Sequence, residues 1–251
     1  MSIQSALITG ASSGIGAALA RLLASRGTLV VLAARREEQL REQVEAIEAA
    51  GGRARYEVLD VSDAERTEAR VRELDGELAL DLVVANAGIG GSAWSGKLEW
   101  SRMDKVIAVN VSGAVATLTG ALPGMLERGS GHLVGVSSVA GYRGLPSNAT
   151  YCASKAFLMT FLETLRIDLH GTGVQVLDVR PGFVETPMTA NMGKLPWLVD
   201  VEDAAKIMAK AIDRGRGVVS FPLPMAMIGA LLPSLPRVIY EPVVRKGGKR
   251  K

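Results

Sequence analysis

The stretch "TYCASKAFL" places Tyr151 four positions before Lys155. On a helix these two side chains share one face. A free tyrosine keeps its proton up to about pH 10 and exchanges it poorly at neutrality. A lysine charge beside the phenol favours the anion and lowers that value. A proton donor poised nearer the working pH is a better general acid. The same i, i+4 pair is also what a solvated helix face looks like, so the rest of the chain has to decide between them.

Other chemistries find less support. A serine nucleophile usually needs a histidine base, and the two histidines, His132 and His170, sit at a strand start and near a helix end. Both read as surface or capping residues. No His/Cys cluster has metal-ligand spacing. Cys152, the one cysteine, excludes an internal disulfide and agrees with a reducing, cytoplasmic compartment. It reads as a helix filler, with a reactive thiol as the sharper alternative. The opening "MSIQSALITG" lacks a basic region followed by a long apolar run and does not read as a signal peptide.

The net charge of +3 comes from the end of the chain. Arg245, Lys246, Lys249, Arg250 and Lys251 stand in the last seven positions; without them 24 basic residues face 26 acidic ones. The near-neutral body carries no nucleic-acid footprint. The tail at 245–251 reads as a solvated end or as an anchor to an anionic membrane surface.

Apolar runs rich in β-branched residues recur at 6–9, 28–34, 55–59, 81–87, 132–138, 174–179 and 217–221. Helical spacing fills 36–50, 62–75, 99–128, 151–170 and 201–214. Alternating strands and helices, with strands apolar throughout, predict an α/β fold: a doubly wound parallel sheet of about seven strands covered on both faces. No linker or repeat divides the chain, so 1–251 reads as one domain. Residues 217–236 are 20 positions without a charge, but they hold Pro222, Pro224, Pro233 and Pro236. The uninterrupted piece is about 12–15 Å long as a helix, at ~1.5 Å per residue, too short for ~30 Å of hydrocarbon. It reads as an apolar flap over a pocket, a packed tail, or a segment dipping into a membrane surface.

The chain opens with "LITGASSGIGAALARLL". Gly10, Gly14 and Gly16 permit a tight turn and close approach of backbone to a ligand. The helix beginning near Gly14 offers free N–H groups and a positive dipole end to a pyrophosphate. The T-G-x-x-x-G-x-G spacing from Thr9 to Gly16 resembles the short-chain dehydrogenase/reductase family. That resemblance, over about residues 5–190, implies a Rossmann-like, NAD(P)-binding domain with Ser12, Ser13 and Ile15 in its phosphate turn. It also supplies the partners of Tyr151. The family's signature is Ser, twelve residues, Tyr, three residues, Lys; Ser138, Tyr151 and Lys155 match it, and Asn110 in "VIAVNVSGA" matches the upstream Asn. In the family, Ser shares the charge developing on the substrate oxygen, Lys also holds the nicotinamide ribose, and Asn holds a water that relays protons.

Further cofactor contacts follow from the resemblance. They are Asp60 and Val61 toward adenine, Asn86, Ala87 and Gly88 lining the cofactor or stabilising the sheet, and Pro181, Gly182, Val184 and Thr186 toward the carboxamide. Where NAD-binding relatives usually place Asp, this chain has Ala34, followed by Arg35 and Arg36. A missing carboxylate removes repulsion of a 2′-phosphate, and guanidinium forks match phosphate. NADP(H) is therefore expected over NAD(H), with Arg35 the first choice for the contact. The bland alternative pairs both arginines with Glu37 or Glu38. The basic residue that some NADP-preferring relatives carry inside the glycine turn is missing.

The expected activity is NADPH-dependent carbonyl reduction, reversible as alcohol oxidation. The loop 187–200, with Met188, Met192, Leu195 and Trp197, reads as a cover for a small or lipophilic ketone, or as a surface loop with chance hydrophobes, within a variable segment, about 187–251. A membrane-surface lipid reductase and a non-catalytic nucleotide sensor are the alternatives. The family also implies a homodimer or homotetramer through the helices near 99–128 and 151–170.

Overall fold

The computed structural model describes residues 3–247. The chain alternates strand and helix: β1 (Ser5–Thr9), α1 (Gly14–Ala24), β2 (Leu29–Ala34), α2 (Glu37–Ala49), β3 (Arg53–Val58), α3 (Ala64–Leu78) and β4 (Leu82–Ala85). Then come α4 (Trp100–Ile107), α5 (Ala114–Arg128), β5 (Gly131–Val136), α6 (Ala149–Asp168), β6 (Val174–Pro181), α7 (Val201–Asp213), β7 (Val218–Phe221), α8 (Leu223–Leu231) and α9 (Arg237–Gly247). The strands form one seven-stranded parallel sheet in the order β3-β2-β1-β4-β5-β6-β7.

The apolar strands are explained by the two packed faces. Ile8, Leu32, Val84, Val134 and Leu177 meet α1, α2 and α7. Their neighbours Leu7, Val31, Val83, Leu133 and Val176 meet α3, α5 and α6. Successive strand residues point to opposite sides, so a sheet covered twice has no polar phase. Asp63 caps α3, accepting from the Arg66 amide at 3.1 Å.

The stretch expected as one helix over 99–128 is interrupted. Ala108–Gly113 forms a π-helical turn between α4 and α5. The wider i→i+5 turn changes which side chains point inward, and it carries Asn110. The whole span Trp100–Arg128 is apolar and long enough to cross a bilayer by length and composition, yet 56% of its most apolar stretch is buried in this protein.

His132 corrects the surface reading. It is the second residue of β5, is 7% exposed, and its Nε2 has no hydrogen-bond partner among the described residues. Burial pushes its pKa down to about 4. His170 is exposed.

Strand order reverses between β1 and β4. Ligands of open α/β sheets lie at the carboxyl ends of strands beside such a switch. The glycine turn leaves β1 there, Asn86 leaves β4, and Ser138 follows β5.

Candidate active site

The phosphate turn is shaped by lack of room. Gly10 has φ +67° and Gly14 φ +58°, a backbone region costly for side chains. A Cβ on Gly10 would lie 2.7 Å from Ala87 Cα, and one on Gly16 would lie 2.5 Å from Asn86 Nδ2. A Cβ on Gly14 would lie 3.2 Å from Thr186 Cγ2. Asn86 donates to the carbonyls of Thr9 (2.9 Å) and Gly10 (3.3 Å), and the Asn86 and Ala87 amides donate to Thr9 Oγ1. Asn86 is thus a clamp between β1 and β4. Ser13, at the N-cap of α1, makes no side-chain cap bond. The first-turn amides of the helix remain available to an anion, and Ile15 anchors that turn against the core.

The two arginines differ. Arg35 is largely exposed, with Nη1 3.9 Å from Asp60 Oδ2. Arg36 donates from Nη2 to Ser12 Oγ at 2.8 Å and Ser13 Oγ at 2.9 Å. Neither pairs with Glu37 or Glu38. While Arg35 stands beside Asp60, the β2–α2 turn aims Arg36 back over the phosphate turn. It brings there the basic group that the turn itself lacks. Asp60 is occupied locally, accepting from the Ser62 amide and hydroxyl, and Val61 is buried against Gly113.

The proton-transfer candidates converge at the ends of β4 and β5. Asn110 is 1% exposed. It accepts from the Ile89 amide at 2.8 Å and donates to the Ile89 carbonyl at 3.0 Å and to Ser154 Oγ at 3.1 Å. Ser154 donates to the Tyr151 carbonyl at 2.7 Å. This buried serine, three positions after Tyr151, escaped the sequence reading. Its signal was a small polar residue on the Tyr–Lys face.

Lys155 is 5% exposed. Its Nζ donates to the Val136 carbonyl at 2.8 Å and lies 5.8 Å from the Tyr151 ring centroid. Burial lowers its pKa to about 8, while the Asp178 carboxylate opposes that fall. A Cβ on Gly88 would lie 3.4 Å from both Asn110 Oδ1 and Lys155 Nζ. Ser138 donates to the Pro181 carbonyl at 3.3 Å and accepts from the Ala140 amide at 3.1 Å.

Tyr151 departs from expectation. Burial pushes its phenol up, with the Ser138 hydroxyl pulling the other way. The Lys155 ammonium near it is bonded to the Val136 carbonyl. Beside it, Cys152 is buried and its thiol is also pushed up by burial, which suits a helix filler.

The segment after β6 closes the far side. The Gly182 amide donates to Phe221 at 2.7 Å, and the Met225 sulfur would meet a Cβ on Gly182. Val184 is buried and bridges Val199. The Glu185 amide donates to Val199, and the Val199 amide to Phe183. Beyond that neck Met188, Met192, Trp197 and Leu198 are exposed. Sequence reading also missed Tyr142, Asp178 and Arg180, which lie beneath the Ser138 loop; a lone acid within the apolar run "VQVLDV" was the available sign.

The short chain dehydrogenase family matches residues 4–196. The chain belongs to the short-chain dehydrogenase/reductase family. Family members of this kind are oxidoreductases that use a nicotinamide cofactor, and the glycine cradle and uncapped helix start fit a dinucleotide. An uncharacterized oxidoreductase of Myxococcus xanthus (strain DK1622) is 48% identical over 248 residues, 98% of each chain. A short-chain dehydrogenase from Sphingobium yanoikuyae in complex with NADPH superposes with a TM-score of 0.82 at 26% identity, covering 94% of this chain and 97% of its own. A short-chain dehydrogenase/reductase from Burkholderia phymatum in complex with NAD gives 0.83 at 27% identity, covering 91% and 92%.

Proposed function

We propose that this protein is an NADPH-dependent carbonyl reductase, reversible as an alcohol dehydrogenase, acting on a lipophilic ketone. The observation that carries this reading is the meeting of Ser138, Tyr151, Lys155 and the Asn110 anchor beside the sheet's switch point. Backbone of Gly10–Gly16 would hold the pyrophosphate, with Asp60 and Val61 toward adenine. Arg36, with Ser12 and Ser13, would hold the 2′-phosphate, and Arg35 would stand at its outer side. Asn86–Gly88, Lys155 and the segment Pro181–Thr186 would line the nicotinamide half. Bound there, the nicotinamide supplies hydride to the carbonyl carbon, or takes it back.

The chain's own residues handle the proton. Tyr151, its phenol pushed up by burial, is protonated at neutrality as a phenol ordinarily is, and its Oη can deliver a proton to the nascent alkoxide. Ser138 Oγ donates to the same oxygen and spreads its charge. Lys155, still cationic at neutrality, keeps positive charge beside the phenol when it becomes an anion. A ketone and alcohol panel followed at the nicotinamide absorbance, with both cofactors, tests the reading. Tighter use of NADH than NADPH would overturn the arginine assignment. Full turnover by Tyr151→Phe would overturn the mechanism and favour a nucleotide sensor.

One observation favours placement at a membrane surface. Leu223, Met227, Ile228, Leu231, Val238 and Val243 are each about half exposed or more, from 48% to 81%. The segment that bears them is fastened to the catalytic side: Arg143 donates to the Leu232 and Leu235 carbonyls, and Tyr240 to the Gly144 carbonyl at 2.6 Å. Apolar side chains next to a basic run supply the two signals that interfacial binding needs; most of that run lies outside the described residues. Co-sedimentation with anionic rather than neutral vesicles, lost in Leu231→Asp, is the expected result. A dimer or tetramer remains the expected assembly, with exposed Phe157 and Ile167 of α6 as its contact; light scattering measures it.

A further inference from the structure

We propose that Asp178 and Arg180 are a positioning pair that fixes the loop presenting Ser138; this rests on the proton-transfer reading above. Asp178 is 0% exposed in β6, among valines and leucines. A buried carboxylate is costly unless its oxygens are bonded, and here both are. One accepts from Ser137 Oγ, and the other accepts from Arg180 Nε at 2.6 Å. Arg180 then donates from Nη1 to Tyr142 Oη at 3.1 Å and lies over the Tyr142 ring at 5.2 Å. Tyr142 also meets Ser220 Oγ of β7 at 3.3 Å.

The two ends of this chain of contacts grip Ser137 and Tyr142. Ser138 lies between them in sequence, and its own hydroxyl bonds to Pro181, the residue after Arg180. The loop is therefore held at its start, at its far end and at the reacting hydroxyl, all from β6. Well-packed apolar residues would serve stability equally well or better than a buried ion pair, so geometry is the better account of why this strand carries one. The charged and titratable groups facing Asp178 are Arg180 on its own strand, and Arg166 and Lys155 from α6. Asp178 thus also acts on Lys155, opposing the burial that lowers the ammonium.

Tyr142→Phe and Asp178→Asn test this in the full-length enzyme with NADPH. Displacing a reacting group by a fraction of an ångström costs on the order of tenfold in kcat. Tyr142→Phe is expected to lose that factor while nucleotide Kd and melting temperature stay near wild type. Asp178→Asn is expected to lose kcat and also to move the alkaline limb of its pH profile to lower pH, as Lys155 loses its anion. Arg180→Met is expected to lose kcat in the same way, and Arg180→Lys, which keeps the charge without the fork, to lose less. Wild-type kcat in Tyr142→Phe overturns the proposal. So does a kcat loss that merely follows lost nucleotide affinity or lost stability. Should Asp178→Asn fail to fold, Tyr142→Phe alone still decides. Full turnover by Tyr151→Phe is a separate failure, that of the proton assignment itself.

Discussion

Strand β5 has a buried base at each end, and the two are handled differently. His132 is the strand's second residue, and Lys155 of α6 bonds to the carbonyl of Val136 at its finish. Burial pushes both down, His132 to about 4 and Lys155 to about 8. For the histidine, burial is the cause of the shift and no charge opposes it, so it gives up its own charge. The lysine has Asp178 and a hydrogen bond, and at neutrality it keeps its charge. That charge costs about 3 kcal/mol, since each tenfold change in proton affinity is worth ~1.4 kcal/mol. At the rear edge of the sheet burial leaves its base neutral, while the front edge holds a charge where burial disfavours one.

The largest test of this contrast is Tyr151→Phe, expected to reduce turnover by about 10³-fold with the melting temperature unchanged. Matching losses of stability and activity would erase the distinction between the edges. The next lies at the rear. His132 is neutral in the fold, so its contribution is fully present above about pH 6.5 and is lost as pH falls toward 4, in total about 3 kcal/mol. Urea unfolding at pH 7 and pH 4.5 measures it, and His132→Leu should flatten that dependence without touching kcat. Lys155→Met removes the disfavoured charge. We expect it to raise the unfolding free energy at pH 7 by roughly 1–2 kcal/mol while turnover collapses. A destabilised Lys155→Met would place the lysine among the structural residues. Smallest is Arg36→Ala, expected to raise KM for NADPH about tenfold, the worth of one charge-assisted contact, and to leave KM for NADH unchanged. Arg35→Ala should do less.

Much of this was readable from residue order. The seven strands announced themselves because a sheet covered on both faces allows no polar phase, and Ser138, Tyr151 and Lys155 stood at a diagnostic spacing. What escaped depends on backbone direction. Nothing in "AVNVSG" distinguishes a π turn from an α turn. Arg35 and Arg36 are chemically alike, and only the path of the β2–α2 turn decides which reaches Ser12 and Ser13. His132 looked terminal because it stands near the start of its strand, yet β4 and β6 flank it there. The helical pair conveyed the proximity of Tyr151 and Lys155, but not the burial that pushes the phenol up or the carbonyl to which the ammonium bonds. The absence of charge over 217–236 was plain, but its exposure on α8 was not.

The bridge between Val184 and Val199 has a consequence for how this scaffold diversifies. It pins both ends of the loop 185–198 to the sheet side, so the loop is a module with fixed sockets. Doubling the length of such a loop costs only about 0.6 kcal/mol in closure entropy. Beyond Thr186, which packs on Gly14 of the phosphate turn, its contents can therefore be lengthened, shortened or exchanged for another relative's while the phosphate turn and the Ser138 loop keep their places.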